Sequence, residues 1–139
     1  MGSVRCPSCR KSQPFEAVTG WVTVMGVSID TQGQQCSVCH ETQFDDAELD
    51  RQSRALANAI VGRGIRTGGE FELIRKALGI NVPQLAGLFG VQSDTIAKWE
   101  AGKQGLPTLV AFALGELYVR PMDVRHKLEA IARIEPSQN

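Results

Sequence analysis

Four cysteines, arranged as two Cys-x-x-Cys pairs, are the residues of this chain with the clearest chemical potential. The pairs are Cys6 with Cys9 and Cys36 with Cys39, and 26 residues separate them. Each pair can present two thiolates from one tight turn, and two such turns complete a tetrahedral four-cysteine zinc site. Because the protein would fill all four positions, the metal would fold the segment and catalyse nothing. The spacing therefore predicts one structural Zn²⁺ ion.

Three other uses of the same cysteines are alternatives to zinc binding. Disulfides need an oxidising compartment, and the N-terminus lacks the apolar core of an export signal. A redox Cys-x-x-Cys normally stands at a helix start in an α/β setting, which the surrounding sequence does not resemble. The run from Cys36 to His40 also spells the c-type haem attachment motif, but haem would leave Cys6 and Cys9 without a role. We favour zinc and expect His40 to be a solvated neighbour of the site.

Length and composition limit what else the chain can be. Its 139 residues are 42% hydrophobic and 22% charged, which is typical of one ordinary globular domain or two small ones. No apolar run approaches the roughly 18 residues of a membrane-spanning helix, so we expect a cytoplasmic protein with no membrane association. Lys and Arg (15) balance Asp and Glu (15). Any DNA binding must therefore come from where the charges sit.

Two patterns precede the C-terminal half. Between the cysteine pairs, residues 15–35 are suited to run out and back as a β-hairpin, with Gly26 and Gly33 as turn points. Within them, one set of alternate residues is Val18, Gly20, Val22 and Val24, and the other is Thr19, Trp21, Thr23 and Met25. From about Asp46 to Val61, apolar residues recur at helical spacing, which predicts a connecting helix. Its stripe of Leu49, Leu56 and Ile60 either docks onto a flanking domain, which we favour, or forms a dimer contact. The glycines at 62, 64, 68 and 69 then predict a hinge.

From Glu70 onward the pattern predicts five short helices. Glycines or prolines mark the breaks between them, at Gly79, Gly90, Gly102, Pro107 and Pro121. Between Leu85 and Ile96, a glycine that permits positive φ separates two apolar stretches, as a helix-turn-helix requires. We expect Ile96 and Trp99 in the core and Glu100 paired within the domain. No catalytic carboxylate pair, nucleophile–base set or phosphate-cradling loop stands out, so we expect no enzymatic activity.

The segment from Leu85 to Gly102, LAGLFGVQSDTIAKWEAG, resembles the Cro- and lambda-repressor-like (XRE) helix-turn-helix family. Ile74–Gly79 matches the first helix of that family. A four-cysteine zinc segment, a linker helix and this domain, in that order, resemble the MqsA-type antitoxins of bacterial toxin–antitoxin modules. Pattern and resemblance together predict an α+β chain. It would comprise a small zinc-ribbon-like β domain over 1–44, a linker helix and hinge over 45–69, and an all-α five-helix Cro/lambda-repressor-like helix-turn-helix domain over 70–139.

The resemblance also implies which residues contact DNA. In the family, base edges are contacted from the first exposed positions of the second motif helix and one turn later, and phosphates from the flanking positions. Carried onto this sequence, the base-contacting set is Ser93, Asp94 and Lys98, and the phosphate-contacting set is Gln84, Gln92, Thr95 and Lys103. Lys98 is the expected guanine contact, while Asp94 could accept from a cytosine amino group. An acid at Asp94 departs from the family pattern and opposes phosphate attraction.

The function implied by the resemblance is that of an antitoxin. In the family, the zinc domain blocks a partner toxin, usually a ribonuclease, and the helix-turn-helix domain dimerises and represses its own operon. We therefore expect a partner toxin, double-stranded DNA with a palindromic operator, and a second copy of this chain as partners. Operator half-sites would lie about 10 base pairs apart or a multiple of that. Two alternatives are a stand-alone zinc-containing helix-turn-helix regulator without a toxin, and a thiol redox enzyme or sensor.

Overall fold

Five strands precede six helices in the part of the chain that the computed structural model describes, residues 4–10 and 12–134. The strands are β1 (Val4–Arg5), β2 (Ser12–Gln13), β3 (Phe15–Val24), β4 (Val27–Cys36) and β5 (Thr42–Gln43). The helices are α1 (Asp46–Arg63), α2 (Gly68–Ala77), α3 (Val82–Phe89), α4 (Ser93–Ala101), α5 (Thr108–Val119) and α6 (Pro121–Ile134). The predicted α+β class is thus confirmed. No helix in this part combines the length and hydropathy that a membrane crossing requires.

The chain divides into two units. Unit 1 is Met1–Leu56 and contains the strands and the first part of α1. In it, β1 and β2 form a small antiparallel ladder, while β3, β4 and β5 form an antiparallel sheet in that order. Unit 2 is Ala57–Asn139, and its described elements are the end of α1 and helices α2–α6.

The predicted hairpin is present and unusually regular. Strands β3 and β4 pair over all ten residues, from Phe15 opposite Cys36 to Val24 opposite Val27. Met25 and Gly26 form the two-residue turn, with φ of 52° and 75°. Positive φ at both positions is what a type I′ hairpin turn needs. Gly26 is therefore the turn residue that the sequence predicts.

The prediction of a second turn at Gly33 is wrong. Gly33 lies inside β4, opposite Val18 of β3. A Cβ at this position would lie 2.7 Å from the side chain of Thr42 and 2.9 Å from that of Phe44. The absence of a side chain at Gly33 therefore lets the segment after the second cysteine pair lie close to β4. The chain does not turn at Gly33.

A polar cluster around Glu48 attaches the start of α1 to the sheet. Arg51 and Gln52 donate side-chain hydrogen bonds to the Glu48 carboxylate at 2.7–2.9 Å, and the Gln32 backbone N–H donates at 2.8 Å. These donors, with Arg51 the strongest, lower the pKa of Glu48 to about 2. Arg51 also donates to the backbone carbonyl of Asp30 at 2.7 Å. The helix is thus held to β4 by charge-assisted hydrogen bonds.

Apolar side chains from successive helices fill the core of unit 2. The fully buried ones are Ile60, Phe71, Ile74, Leu85, Ile96, Leu114 and Leu117. Phe71 and Trp99 meet edge to face, with ring centroids 6.2 Å apart. The sequence-based expectation that Ile96 and Trp99 belong to the core is therefore confirmed.

The first turn of α2 packs directly on the end of α4. Thr67 caps α2 by accepting from the Glu70 backbone N–H at 3.1 Å. Gly68 follows, and a Cβ there would lie only 2.0 Å from the carbonyl oxygen of Trp99. Gly68, expected in a hinge, is thus the first residue of α2, where any side chain would collide with the backbone of α4.

We predict that Gly68→Ala lowers the free energy of unfolding by about 1–3 kcal/mol, the usual cost of overpacking. Gly87→Ala in α3 is the matched control, because nothing lies within 4 Å of the added Cβ. Helix propensity there predicts a gain of up to about 1 kcal/mol. Urea unfolding followed by far-ultraviolet circular dichroism measures both changes. Equal stability of the two variants would contradict the close contact between α2 and α4.

Candidate functional site

The four cysteine sulfurs converge on one point. The Sγ atoms of Cys6 and Cys39 are 3.6 Å apart, those of Cys9 and Cys36 are 3.9 Å apart, and all four lie within 4.8 Å of one another. Four sulfurs bound tetrahedrally at about 2.3 Å from a zinc ion are roughly 3.8 Å apart. A disulfide would need about 2.05 Å. The cluster is therefore spaced to hold one metal ion with all four thiols.

Two equivalent turns present these thiols. The residue after each cysteine pair has a left-handed φ, 63° at Arg10 and 61° at His40. In each turn that residue's backbone N–H donates to the carbonyl of the first cysteine, at 2.7 Å to Cys6 and 3.0 Å to Cys36. The repeated conformation explains how two short segments, far apart in sequence, contribute two sulfurs each to one cluster.

The electrostatics of the cluster favour a cation at its centre. Burial opposes ionisation of Cys36, but the backbone N–H groups of Cys39 and Val38 outweigh it and lower the pKa of Cys36 to about 6. Although the backbone N–H of Glu41 favours the Cys39 thiolate, burial and the neighbouring thiols raise the pKa of Cys39 to about 12. Four thiolates this close repel one another, so all four ionise together only around a metal ion. A set of four soft sulfur donors suits zinc.

Unit 1 has little other core to hold it. Among its described residues, the buried apolar side chains are Cys6, Ile29, Cys36 and Leu56. Two of these four are themselves members of the sulfur cluster. A unit of this size with so few buried apolar groups normally needs a metal or a covalent cross-link to stay folded.

In unit 2, α3 and α4 form a tight helix pair. Asn81 and Gln84 cap the start of α3 with reciprocal hydrogen bonds of 2.9 Å. Gly90 ends α3 with a left-handed φ of 67°, and the Val91 N–H donates to the Ala86 carbonyl at 3.1 Å. Helix α4 begins three residues after Gly90. The chain therefore reverses sharply between two short helices.

A buried ion pair fixes the far end of α4. Arg75 of α2 donates to both carboxylate oxygens of Glu100 at 2.7 and 3.1 Å, and to the Ile80 carbonyl at 3.0 Å. Both charged side chains are only 9% exposed. The Glu100 carboxylate raises the pKa of Arg75. The pairing of Glu100 within the domain is confirmed, and α4 is tied to α2 by a bidentate contact that fixes its orientation.

The residues expected to contact DNA lie at three places in unit 2. Gln92 occupies the position before α4 without a side-chain capping hydrogen bond, Ser93, Asp94 and Thr95 form the first turn of α4, and Lys98 follows one turn later. Gln84 lies in the first turn of α3, and Lys103 follows the C-terminal end of α4. Thr95 is half-buried and the others are exposed. The first turn of α4 thus brings most of the set together, while Lys103 lies at the opposite end of that helix.

Charge pairing along the helices is the feature that the sequence interpretation missed. Lys98 Nζ lies 3.1 Å from Asp94 Oδ2, and both side chains are at least half exposed. Four further pairs of unit 2 have the same i,i+4 spacing: Glu72 with Lys76, Glu116 with Arg120, Asp123 with Lys127 and Arg125 with Glu129. That spacing is itself a sequence signal of helical ion pairs. The surface of unit 2 is accordingly close to neutral along most of its helices.

No protein-family model matches this chain, and no curated protein matches it. The four-cysteine cluster and the α+β fold therefore stand on the structure alone. The XRE and antitoxin resemblances stay predictions from the residues that carry them.

We predict one tightly bound metal ion per chain, zinc being the expected element. Cys36→Ser should release it, because the variant loses a thiolate from the four-sulfur set, whereas Ser37→Ala in the same turn should retain it. Elemental analysis of the purified proteins measures the metal content. A chelator should make unit 1 sensitive to proteases while the helical signal of unit 2 persists. A metal-free protein with two disulfides would contradict this assignment.

Proposed function

We propose that this protein is a zinc-stabilised, sequence-specific DNA-binding repressor that also serves as the antitoxin of a toxin–antitoxin module. The DNA-binding part of the proposal is supported by the different burial of the two ends of α4. Its far end is fixed by Trp99 and Glu100 in buried contacts, while Ser93 and Asp94 in its first turn are exposed. A helix anchored in the core at one end and exposed at the other is what insertion into a major groove requires.

In this proposal α3 and α4 are a helix-turn-helix of the Cro- and lambda-repressor-like type. Ser93, Asp94 and Lys98 contact base edges. Gln84, Gln92, Thr95 and Lys103 contact the phosphate backbone. The N-terminal ends of α3 and α4 add the positive ends of their helix dipoles, which favour phosphate oxygens.

The Lys98–Asp94 ion pair is compatible with base recognition on energetic grounds. An exposed pair of this kind contributes at most about 1 kcal/mol, because water screens it and two long side chains lose freedom. A lysine contact to the O6 and N7 atoms of guanine is worth about 1–3 kcal/mol of discrimination. Lys98 therefore gains by leaving Asp94 for a correct base, and gains less from a wrong one.

The toxin-binding part of the proposal is supported by the tip of the β3–β4 hairpin. Four apolar side chains there are exposed: Trp21 (75%), Val22 (40%), Val24 (36%) and Met25 (43%). Val22 and Val24 share one face of β3, and Trp21 lies on the opposite face. Exposed apolar side chains mark protein contact surfaces, and tryptophan is prominent among the residues that dominate binding energy. Zinc then has a structural role, since it holds the strands that display this surface.

We predict that Lys98→Ala weakens binding to the promoter DNA of the protein's own gene by about 1–3 kcal/mol. Lys127→Ala is the matched control, because Lys127 forms the same type of exposed i,i+4 pair on α6. It should bind within about twofold of the parent. Fluorescence anisotropy with a labelled promoter fragment measures all three proteins. Equal binding by Lys98→Ala and the parent would remove Lys98 from the interface.

We predict that the product of the neighbouring short reading frame arrests growth when expressed alone, and that co-expression of this chain relieves the arrest. The two proteins should co-purify. Trp21→Ala should weaken the complex about tenfold or more, while Ile131→Ala, which removes an exposed apolar side chain from unit 2, should leave it intact. Absence of both toxicity and complex would leave a stand-alone zinc-containing regulator as the better description.

A further inference from the structure

The four thiols of the sulfur cluster differ in their access to solvent. The side chains of Cys6 and Cys36 are 0% exposed, Cys9 is half-buried, and Cys39 is exposed. The neighbours of Cys39 in sequence do not cover it, since residues 37–40 are all exposed. A small reagent in solution therefore reaches Cys39 more readily than any other member of the cluster.

Exposure is decisive here because a metal-bound cysteine is a thiolate. The thiolate, and not the neutral thiol, is the nucleophilic form of cysteine. Peroxides oxidise cysteines according to their thiolate character and their exposure. With a metal bound, all four sulfurs of the cluster have thiolate character, so exposure determines which of them is oxidised first. That cysteine is Cys39.

A second thiol lies close enough to Cys39 to complete the oxidation. The Sγ atom of Cys6 is 3.6 Å from that of Cys39, and the two residues are 33 positions apart in sequence. A disulfide bond is about 2.05 Å long, so the two sulfurs need to approach by roughly 1.5 Å. Cys6 belongs to the first turn and Cys39 to the second. A bond between them would join the same two turns that a metal ion joins.

We propose that Cys39 is an oxidative modification site, at which a peroxide converts the four-sulfur cluster into a metal-free form held by a Cys6–Cys39 disulfide. The proposal rests on the cluster itself and goes beyond the proposed function, since it depends on neither DNA binding nor toxin binding.

The oxidation has two steps. In the first, the Cys39 thiolate attacks one oxygen of hydrogen peroxide, the O–O bond breaks, and Cys39 becomes a sulfenic acid while hydroxide leaves. In the second, the Cys6 thiolate attacks the Cys39 sulfur, the S–S bond forms, and hydroxide leaves from that sulfur. Each hydroxide takes up one proton. Two thiolates, two protons and one peroxide thus give one disulfide and two waters, and the peroxide accepts the two electrons.

The disulfide removes half of the donor set and replaces the lost cross-link. Only Cys9 and Cys36 remain as thiolates, which is too few for a structural zinc site, so the metal leaves. The new covalent bond then holds the two turns together. We therefore expect oxidised, metal-free unit 1 to resist proteases, whereas unit 1 becomes sensitive when a chelator removes the metal from reduced cysteines.

Treatment of the full-length, metal-loaded protein with hydrogen peroxide tests the site. A chromogenic chelator follows metal release, dimedone labels the cysteine that forms a sulfenic acid, and mass spectrometry of proteolytic fragments identifies the label and the disulfide. We expect metal release, dimedone on Cys39, and a bond between Cys6 and Cys39. Dithiothreitol with added zinc should restore the starting protein.

Two histidine variants separate the effect of exposure from that of metal binding. Cys39→His replaces the exposed thiolate by an imidazole, which also binds zinc, so the variant should keep its metal and release it about tenfold more slowly under peroxide. Cys9→His makes the same change at the half-buried cysteine of the other turn, so it should release its metal at close to the parent's rate.

Four results would overturn the proposal. They are retention of the metal under peroxide, dimedone on a cysteine other than Cys39, a disulfide within either turn, and equal release rates for the two histidine variants. The labelling and the disulfide are measured on the parent protein, so they decide the question even where a variant fails to bind metal.

Discussion

Limited burial is the constraint on which both units of this molecule depend. A chain segment of 50 to 80 residues buries too small a fraction of its surface for an apolar core alone to hold it firmly. Unit 1 meets this constraint with four sulfurs spaced for one metal ion and with the hydrogen bonds around Glu48. Unit 2 compensates for limited burial with a compact core that includes Phe71 and with the bidentate ion pair between Arg75 and Glu100. In both units a few strong local contacts compensate for the small apolar core.

These strong local contacts also explain which surfaces stay exposed. Since the four-sulfur cluster lies at one end of unit 1, the hairpin can extend from it and leave Trp21 largely in solvent. Because Glu100 fixes the end of α4, the first turn of that helix can remain exposed without losing its orientation. Helix α5 presents a third such surface, since Leu109 and Phe112 are 80% and 65% exposed. The proposed contacts with toxin and DNA use the first two of these exposed features.

Local patterns predicted much of this architecture, because they report local physics. The Cys-x-x-Cys spacing predicted the sulfur cluster, the alternating residues 18–25 with Gly26 predicted the β3–β4 hairpin, and glycines predicted the ends of α2, α3 and α4. The predictions of a turn at Gly33 and of a hinge at Gly68 are wrong for the same reason. Each is required by a close approach from elsewhere in the fold, Thr42 and Phe44 in one case and the Trp99 backbone in the other. No local sequence signal separates a glycine that turns the chain from one that makes room for a neighbour.

We propose above all that α4 reads a specific DNA sequence. Selection of binding sites from a pool of random duplexes by the full-length, metal-loaded protein tests it most directly, because no operator needs to be assumed. Sequence-specific reading by a two-fold dimer predicts an enriched palindrome with half-sites about 10 base pairs apart, or a multiple of that. The Lys98→Ala variant should lose the preference at one position of each half-site. Recovery of unenriched, random sequences by the parent protein would contradict the claim.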